Sequence, residues 1–183
     1  MRTEKDPQSP LKMRPVDGTL PALLARVDAL YETAFPLHEK RSLKAKNRAL
    51  QAVNYQLQAW FEEAQFVGLI GVWHFEGYGY IEHLAVDDAL RGQGYGKRML
   101  RQFLEQSPLT VLEIDPLTSD IARKRLCFYQ SLGFKINHYP HFHPSYHENL
   151  TDHELIVLSY PCQLDQQQYR RFFNDLCCSV MAD

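Results

Sequence analysis

The sequence predicts one domain of the α/β class, in which helices pack against a central sheet. Apolar runs of strand length alternate with amphipathic stretches of helical spacing. At 183 residues, of which 45% are hydrophobic, the chain can bury one core of ordinary size. No internal repeat, low-complexity tract or linker marks a domain boundary. We therefore expect a single domain over residues 1–183, with a flexible start over residues 1–10.

The first half is predicted to contain a short strand, a helix and three sequential strands. LKMRPVD has strand character, and apolar residues recur at helical spacing from Pro21 to Phe35. The charged run from His38 to Arg48 has a helix-like composition, and we expect it to be a solvated surface. Three apolar runs then predict an antiparallel meander: YQLQAWF, QFVGLIGVWHF and YGYIEHLAV.

The second half alternates helices with strands. A helix is predicted from Lys97 to Glu105, and the strand LTVLEID follows it. Another helix is predicted to begin near Ser119 or Asp120, which are good N-caps, and to end at Gly133. KINHY and ELIVLSY predict two further strands, and a helix from Asp165 to Cys178 completes the domain.

Charge and cysteine content argue against several classes of protein. The net charge of -2 comes from 22 acidic and 20 basic side chains spread along the chain, so no surface is predicted to bind nucleic acid. The four cysteines form no C-x-x-C pair and two are adjacent, which favours a reducing, cytoplasmic setting. The polar, proline-broken start has neither the apolar core of a signal peptide nor the length of a membrane span, so we expect no membrane partner.

The most informative segment is LAVDDALRGQGYGKRML, in which an apolar strand passes through a glycine-rich turn into an amphipathic helix. Glycines let backbone N–H groups approach an anion, and a helix N-terminus adds donors and a favourable dipole. The turn is therefore predicted to bind a pyrophosphate. A dinucleotide-binding turn would need glycine in place of Lys97, and a P-loop would need G-K followed by Ser or Thr. A connection without a ligand is the remaining alternative.

This turn resembles the pyrophosphate loop of the GNAT superfamily of N-acetyltransferases, whose pattern Gln/Arg-x-x-Gly-x-Gly/Ala is matched by Arg91, Gly94 and Gly96. Downstream, RKRLCFYQSLGF resembles the family's helix that ends in a tyrosine and precedes a glycine and an aromatic residue. A looser resemblance runs from Tyr55 to Gly133. It implies the GNAT fold, a central mixed, largely antiparallel sheet of about six to seven strands flanked by helices. A generic α/β domain is the alternative.

The resemblance also implies a reaction. An acetyl group would pass from acetyl-coenzyme A to a primary amine by direct attack in a ternary complex. We expect a small-molecule acceptor, because the long segment after Phe134 can close over a pocket. The alternatives are acetylation of a protein N-terminus or lysine, and a non-catalytic sensor of acyl-coenzyme A. An exposed edge strand near the C-terminus would allow a homodimer.

The cofactor site follows from the same resemblance. Main-chain groups of the strand before the turn would hold the pantetheine arm, and the turn would hold the pyrophosphate. Relatives often carry an asparagine seven residues before the tyrosine to hold the pantetheine, where this chain has Ala122. The expected cofactor-binding residues are Leu84, Ala85, Val86, Arg91, Gly92, Gln93, Gly94, Tyr95, Gly96 and Lys97.

Three residues are candidates for the chemistry. A free alkyl amine has a pKa near ~10.4, so a base helps to supply the neutral nucleophile at neutral pH. Glu82 and Glu113, on neighbouring strands, are the candidate bases, and strand alternation places Glu82 on the face of Leu84 and Val86. A solvated strand face is the alternative for each glutamate. Tyr129 matches the tyrosine that protonates the thiolate in many relatives, and a buried structural tyrosine is its alternative.

The segment NHYPHFHPSYH brings several histidines close together in the sequence. Zinc is conceivable there, but no cysteine or carboxylate at a recognisable ligand spacing accompanies them. We expect no metal, and instead a histidine- and tyrosine-rich wall of the acceptor pocket, or plain surface. The histidines are His138, His141, His143 and His147.

Overall fold

A mixed sheet with helices on both faces forms the body of the computed structural model, which describes residues 9–17, 19–107 and 109–182. The strands are β1 (Lys12–Pro15), β2 (Tyr55–Glu62), β3 (Gln65–Phe75), β4 (Tyr78–Val86), β5 (Thr110–Ile114), β6 (Lys135–Ile136), β7 (Phe142–His143), β8 (His153–Glu154) and β9 (Ile156–Tyr160). The helices are α1 (Pro21–Ala34), α2 (Leu43–Gln51), α3 (Tyr95–Gln106), α4 (Asp120–Gln130) and α5 (Gln166–Asp175). Residues 1–8 of the predicted flexible start lie outside the described residues.

Within the described residues, seven strands form the main sheet in the order β1-β2-β3-β4-β5-β9-β6, while β7 and β8 form a separate antiparallel pair. Most neighbours are antiparallel, and β4 with β5 is parallel because α3 crosses between them. This confirms the predicted class, the meander of β2, β3 and β4, and the strand number. β7 lies in the histidine-rich segment and β8 follows that segment; this pair was not predicted.

Local signals explain where the helices begin. The Ser119 side chain caps α4 by accepting from the Ala122 N–H, as its position predicted. Asp165 caps α5 in a reciprocal capping box with Gln168. After α5 the chain continues as a π-helical turn, Leu176–Val180. In the described part of the chain, no helix combines the length and the apolar character needed to cross a membrane.

The two faces of the sheet carry different helices. On one face, α3 and α4 pack against strand residues that include Ile81, Leu112 and Leu158. On the other, α1 packs over β2, β3 and β4 near Leu69, and α5 packs over β4, β5 and β9 near Tyr80. Alternate residues of each strand therefore enter different cores, which requires the sheet to be buried on both sides.

β4 and β5 pair only at their first residues. Gly79–Ile81 pair with Thr110–Leu112, and past these residues the two strands separate. β4 remains bonded to β3 up to Val86, and β5 remains bonded to β9 up to Ile114. The sheet is therefore split between two strands that both continue, and the split opens a cleft in its middle.

A β-bulge shifts the face on which Glu82 lies. His83 pairs with Gly71 while Ile81 pairs with Val72, so Glu82 is the extra residue of β4. The Glu82 carboxylate consequently lies on the α5 face, bonded to the indole of Trp73, whereas Leu84 packs against the α3 and α4 core. The prediction that Glu82 shares a face with Leu84 and Val86 is wrong, because simple alternation does not allow for the bulge.

The last strand is not at the edge of the sheet. β9 lies between β5 and β6, and Leu158 and Ser159 pair with both neighbours. The edges of the described sheet are β1 and β6. The expectation of an exposed strand near the C-terminus is therefore wrong, since β6 returns to cover β9, and a homodimer no longer has that basis.

Candidate active site

The glycine-rich turn leads directly into α3 and leaves the N–H groups at the start of that helix free. Gly92 and Gly94 have φ of +76° and +86°, values that glycine adopts without the steric cost of a Cβ. Gly94 is the N-cap of α3 and supplies no side-chain cap. The N–H groups of the first helical turn therefore lack intrahelical partners and carry the positive end of the helix dipole. Such an end binds anions.

Gly96 lets the start of α3 approach β4 and α4 closely. A Cβ at Gly96 would lie 3.4 Å from Cγ2 of Val86 and 3.6 Å from the Phe128 ring. A larger residue would push the helix N-terminus away from the strand. The glycine spacing within the turn thus combines close packing on one side with open donors on the other.

A cavity of about 660 Å³, called here the large cavity, extends from this turn into the split between β4 and β5. It brings together nearly all the predicted cofactor residues. Gln93 is absent from its wall, because its side chain donates 2.9 Å back to the Ala89 carbonyl. The predicted residues that line it are Glu82, Leu84, Ala85, Val86, Arg91, Gly92, Gly94, Tyr95, Gly96, Lys97, Glu113 and Tyr129.

The main chain of β4 is exposed to the large cavity where β5 has turned away. Leu84, Ala85 and Val86 bond to β3 on one side and have no β5 partner in the described residues on the other. On the β3 side a Cβ at Gly68 would meet the Ala85 carbonyl oxygen at 2.2 Å, so only glycine fits there. The free side of β4 offers backbone hydrogen bonds to an extended ligand arm.

Tyr129 closes the large cavity from α4. Its ring packs between Phe128 and Phe134, with centroid distances of 5.1 and 5.5 Å, and the residue is 8% exposed. Burial, offset in part by the Arg125 charge, raises the pKa of Tyr129 to about 12. The phenol therefore stays protonated at neutral pH and can act as a proton donor.

A second cavity of about 210 Å³, the small cavity, lies on the far side of the glutamates. Its wall combines the loop between α1 and α2, the middle of β4, the end of β5, the histidine-rich segment and the residues around β8. Four residues line both cavities, so the two spaces share one wall: Glu39, Glu82, Glu113 and Arg125.

Glu82 is held in a buried ion pair. Its carboxylate accepts from Arg41 Nε at 2.8 Å, from the Tyr146 hydroxyl at 2.9 Å and from Trp73 Nε1 at 2.7 Å. Burial opposes its ionisation, but Arg41, His83 and these hydrogen bonds together lower the pKa of Glu82 to about 2. Arg41 is itself buried, so the charged run that contains it is not wholly the solvated surface predicted from composition.

Glu113 is similarly enclosed on β5. Oε2 accepts from the Tyr80 hydroxyl at 2.5 Å, and Oε1 makes a short hydrogen bond to His141. Burial opposes ionisation here as well, yet the nearby His143 and the His141 bond keep the pKa of Glu113 below its ordinary value. Neither candidate glutamate lies on the solvated strand face that was the alternative for both.

The histidine-rich segment forms part of the small cavity. His143 and Tyr146 line it, as the expected histidine- and tyrosine-rich wall requires, while His141 lies buried behind Glu113. His143 Nδ1 faces the Pro144 carbonyl at 2.6 Å, and its buried Nε2 has no hydrogen-bond partner. Among the described residues, no group of three His, Cys, Asp or Glu side chains is arranged to hold a metal ion.

Sequence reasoning assigned no individual role to several residues that surround the two buried glutamates. Glu39 and Arg125 line both cavities, Tyr146 bonds to Glu82, and Arg41 forms the ion pair with Glu82. Arg125 lies in RKRLCFYQSLGF and Tyr146 in NHYPHFHPSYH, but neither pattern shows which partner these side chains meet. Glu39 and Arg41 lie in the charged run, whose composition predicted only a solvated surface.

The comparisons with known proteins agree with this geometry. Residues 56–136 match the model of the acetyltransferase (GNAT) domain. A solved structure from Bacteroides thetaiotaomicron, described as a GNAT-family acetyltransferase, is 26% identical with a TM-score of 0.88 and covers 94% of this chain and 99% of its own. No curated protein matches the chain by sequence.

Two more distant structures share the fold. The ribosomal-protein alanine N-acetyltransferase from Escherichia coli is 17% identical, with a TM-score of 0.58 over 86% of this chain and 97% of its own. An aminoglycoside 6'-N-acetyltransferase complexed with coenzyme A is 16% identical, with a TM-score of 0.59 over 81% of this chain and 95% of its own. The split sheet, the open helix start and these matches define an acetyltransferase. Residues 56–136 therefore form a GNAT acetyltransferase domain, as the sequence resemblance predicted.

Proposed function

We propose that this protein transfers the acetyl group of acetyl-coenzyme A to a primary amine of a small molecule, by direct attack in a ternary complex. The observation that carries the proposal is the pair of cavities that meet at one acidic wall. One cavity ends at an open helix N-terminus, and the other is lined by side chains from several separate segments. A donor and an acceptor entering from opposite sides would meet at that wall.

The large cavity is proposed to hold the coenzyme. The open N–H groups of the first turn of α3, from Gly94 to Lys97, would bind the pyrophosphate, with Arg91 and Gly92 beside them. The Gln93 N–H and side chain are already bonded to Leu90 and Ala89, so Gln93 would contribute little to this site. The free edge of β4 at Leu84, Ala85 and Val86 would hold the pantetheine arm. The coenzyme A complex of the aminoglycoside 6'-N-acetyltransferase supports this use of the fold.

The small cavity is proposed to hold the acceptor. Its 210 Å³ is below the roughly 300–1,000 Å³ of drug-sized ligand sites, which favours a compact amine over a peptide. Glu39, Glu82, Glu113, Asp115 and Glu154 line it, so a protonated amine would be attracted to it. The unpartnered Nε2 of His143 adds a polar group that a bound ligand could satisfy.

The reaction assigns a role to Tyr129. The amine nitrogen would attack the thioester carbon, and the carbon–sulfur bond would break as the tetrahedral species collapses. The Tyr129 hydroxyl would give its proton to the departing sulfur, since burial raises its pKa to about 12 and the phenol is protonated when the reaction begins. Glu82 and Glu113 would hold negative charge beside the amine.

The test is calorimetric binding of acetyl-coenzyme A, followed by a screen of small amines for release of free coenzyme A thiol. We expect binding, and thiol release with at least one compact cationic amine. Peptides with free N-termini and lysines are assayed in parallel. Turnover with peptides alone would replace the small-molecule acceptor by a protein, and binding without turnover would favour an acyl-coenzyme A sensor. No binding would overturn the proposal.

A further inference from the structure

Among the described residues, three carboxylates line both cavities, and they are not equivalent. Glu82 and Glu113 lie on β4 and β5 with fully or nearly fully buried side chains. Glu39 ends the short 3₁₀ turn Leu37–Glu39 between α1 and α2, and its side chain is 32% exposed. The acceptor amine could therefore meet two kinds of carboxylate, namely two that are buried and one that is partly exposed to solvent.

Glu82 and Glu113 are engaged by strong donors. The Oε1 and Oε2 atoms of Glu82 accept three hydrogen bonds, one of them from the Arg41 guanidinium. Both oxygens of Glu113 also accept, from Tyr80 and His141. A proton added to either carboxylate would remove the negative charge that strengthens these hydrogen bonds. Both groups are better suited to hold charge than to exchange a proton.

The Glu39 carboxylate makes weaker polar contacts than the carboxylates of Glu82 and Glu113. Its ionic partner is His38, at 3.7 Å from Nε2 to Oε1, which is beyond hydrogen-bond distance. The side chain lines the large and the small cavity together with the two buried glutamates. We propose that Glu39 is the group that accepts the proton of the acceptor amine. This rests on the proposed acetyl transfer.

The backbone around Glu39 is fixed by contacts to the rest of the site. The Glu39 carbonyl oxygen lies 2.8 Å from His83 Nε2 on β4, and the Leu37 carbonyl oxygen lies 3.0 Å from His147 Nε2. Two residues after Glu39, Arg41 forms its ion pair with Glu82. Glu82 is accordingly a positioning residue that anchors the loop carrying Glu39. A proton acceptor held in this way stays at a fixed distance from the reacting thioester.

Several charges surround the Glu39 carboxylate. Burial and the Asp115 charge raise the pKa of Glu39, and Arg125 and His38 offset part of this effect. A carboxylate whose pKa moves up towards the working pH is a better general base than one held low. The other titratable groups on the small cavity wall are Glu82 and His83 of β4, Glu113 of β5, and Tyr80, His143, Tyr146, His153 and Glu154.

The proton movements balance as follows. Glu39 takes one proton from the ammonium nitrogen, the neutral nitrogen bonds to the thioester carbon, and the carbon–sulfur bond breaks. Tyr129 gives its proton to the sulfur and regains one from the attacking nitrogen as the amide forms. Glu39 then releases its proton to water through its exposed edge. The products are the amide, free coenzyme A thiol and one proton.

The test compares Glu39→Gln with the wild type, using the amine found in the thiol-release screen. We expect kcat to fall by roughly 10²–10⁴-fold, the usual contribution of a general base, with unchanged calorimetric affinity for acetyl-coenzyme A. The wild-type rate should fall as the pH falls through the raised Glu39 pKa, and the variant should lack this dependence. Glu105→Gln, an exposed residue of α3, is the matched control and should keep both the rate and the pH profile.

A second variant tests whether Glu39→Gln loses activity only because its fold is disturbed. Glu39→Asp keeps the carboxylate but withdraws it by one methylene, so we expect an intermediate rate that still falls at low pH. Wild-type rates in either variant, or an unchanged pH profile in Glu39→Gln, would overturn the assignment of Glu39 while leaving the acetyl transfer intact. A wild type that neither binds acetyl-coenzyme A nor releases thiol would instead remove the proposed function, and the assignment with it.

Discussion

The two cavities are built in opposite ways. The large cavity takes much of its wall from one segment of the chain, residues 84–97, which includes the free edge of β4 and the open start of α3. The small cavity is made of side chains from segments far apart, including His38, Tyr80, Asp115 and His153. Backbone donors can serve any member of a fold, whereas a wall of side chains can change with each acceptor. The difference teaches that the proposed coenzyme site depends largely on one local segment, whereas the proposed acceptor site depends on the tertiary structure.

The comparison is tested most severely at the glycine turn. We expect Gly94→Trp to lower the affinity for acetyl-coenzyme A by more than about 100-fold. The indole would cover the open helix start, and two lost hydrogen bonds to a charged group are worth roughly 3–6 kcal/mol. Titration calorimetry measures the effect.

Gly77→Trp is the matched control for this change. Gly77 has the same φ of +86° as Gly94 and the same absence of atoms within 4 Å of a built Cβ, but it lies in the turn between β3 and β4, outside both cavities. It should carry the same backbone strain and keep its coenzyme affinity. Equal loss of binding in both variants would show that the turn matters through strain and not through contact.

On the acceptor side, the ion pair between Arg41 and Glu82 should matter for folding. We expect Glu82→Gln to lower the free energy of unfolding by roughly 3–5 kcal/mol, because the Arg41 charge is left buried without a partner. Urea denaturation measures it. Glu62→Gln removes the partner of the more exposed Arg98 and should cost only about 0–1 kcal/mol. Similar losses in the two variants would contradict the importance of burial.

The same pair predicts a pH dependence. The folded pKa of Glu82, about 2, lies below its ordinary value of 4.5, so its stabilisation is present above that value and is lost as the pH falls towards 2. The melting temperature of the wild type should therefore fall more steeply than that of Glu82→Gln across this window. Parallel curves would show that Glu82 does not control acid stability.

The smallest expected effect is at the junction of the two cavities. Tyr129→Phe should lower kcat by about 10²-fold while the affinity for acetyl-coenzyme A stays unchanged, because only the proton donor is lost and the ring packing remains. Stopped-flow detection of thiol release measures it. Tyr160→Phe removes a hydroxyl outside both cavities and should leave the rate unaltered. Full activity of Tyr129→Phe would leave the tyrosine a packing residue.

Strand and helix positions could largely be predicted because they depend on short-range patterns. The period-two and helical repeats gave β2, β3, β4, α3 and α4. β7 and β8 were not predicted, because a strand of two residues is too short to show a period-two repeat. The side of the sheet on which Glu82 lies was also not predicted, because the bulge that changes it depends on pairing with Gly71 and Val72 of another strand.

By itself, the sequence determined the class of fold and the glycine turn, and it singled out Glu82, Glu113 and Tyr129 as candidates. Each of these conclusions depends on a pattern of residues that are close together in the chain. Only the tertiary structure decided what surrounds them. Arg41 and Tyr146, which bond to Glu82, lie 41 and 64 positions from it along the chain. Such contacts form when distant segments fold over one sheet, and no local pattern records them. For that reason the wall of the small cavity, with Glu39 in it, became visible only in three dimensions.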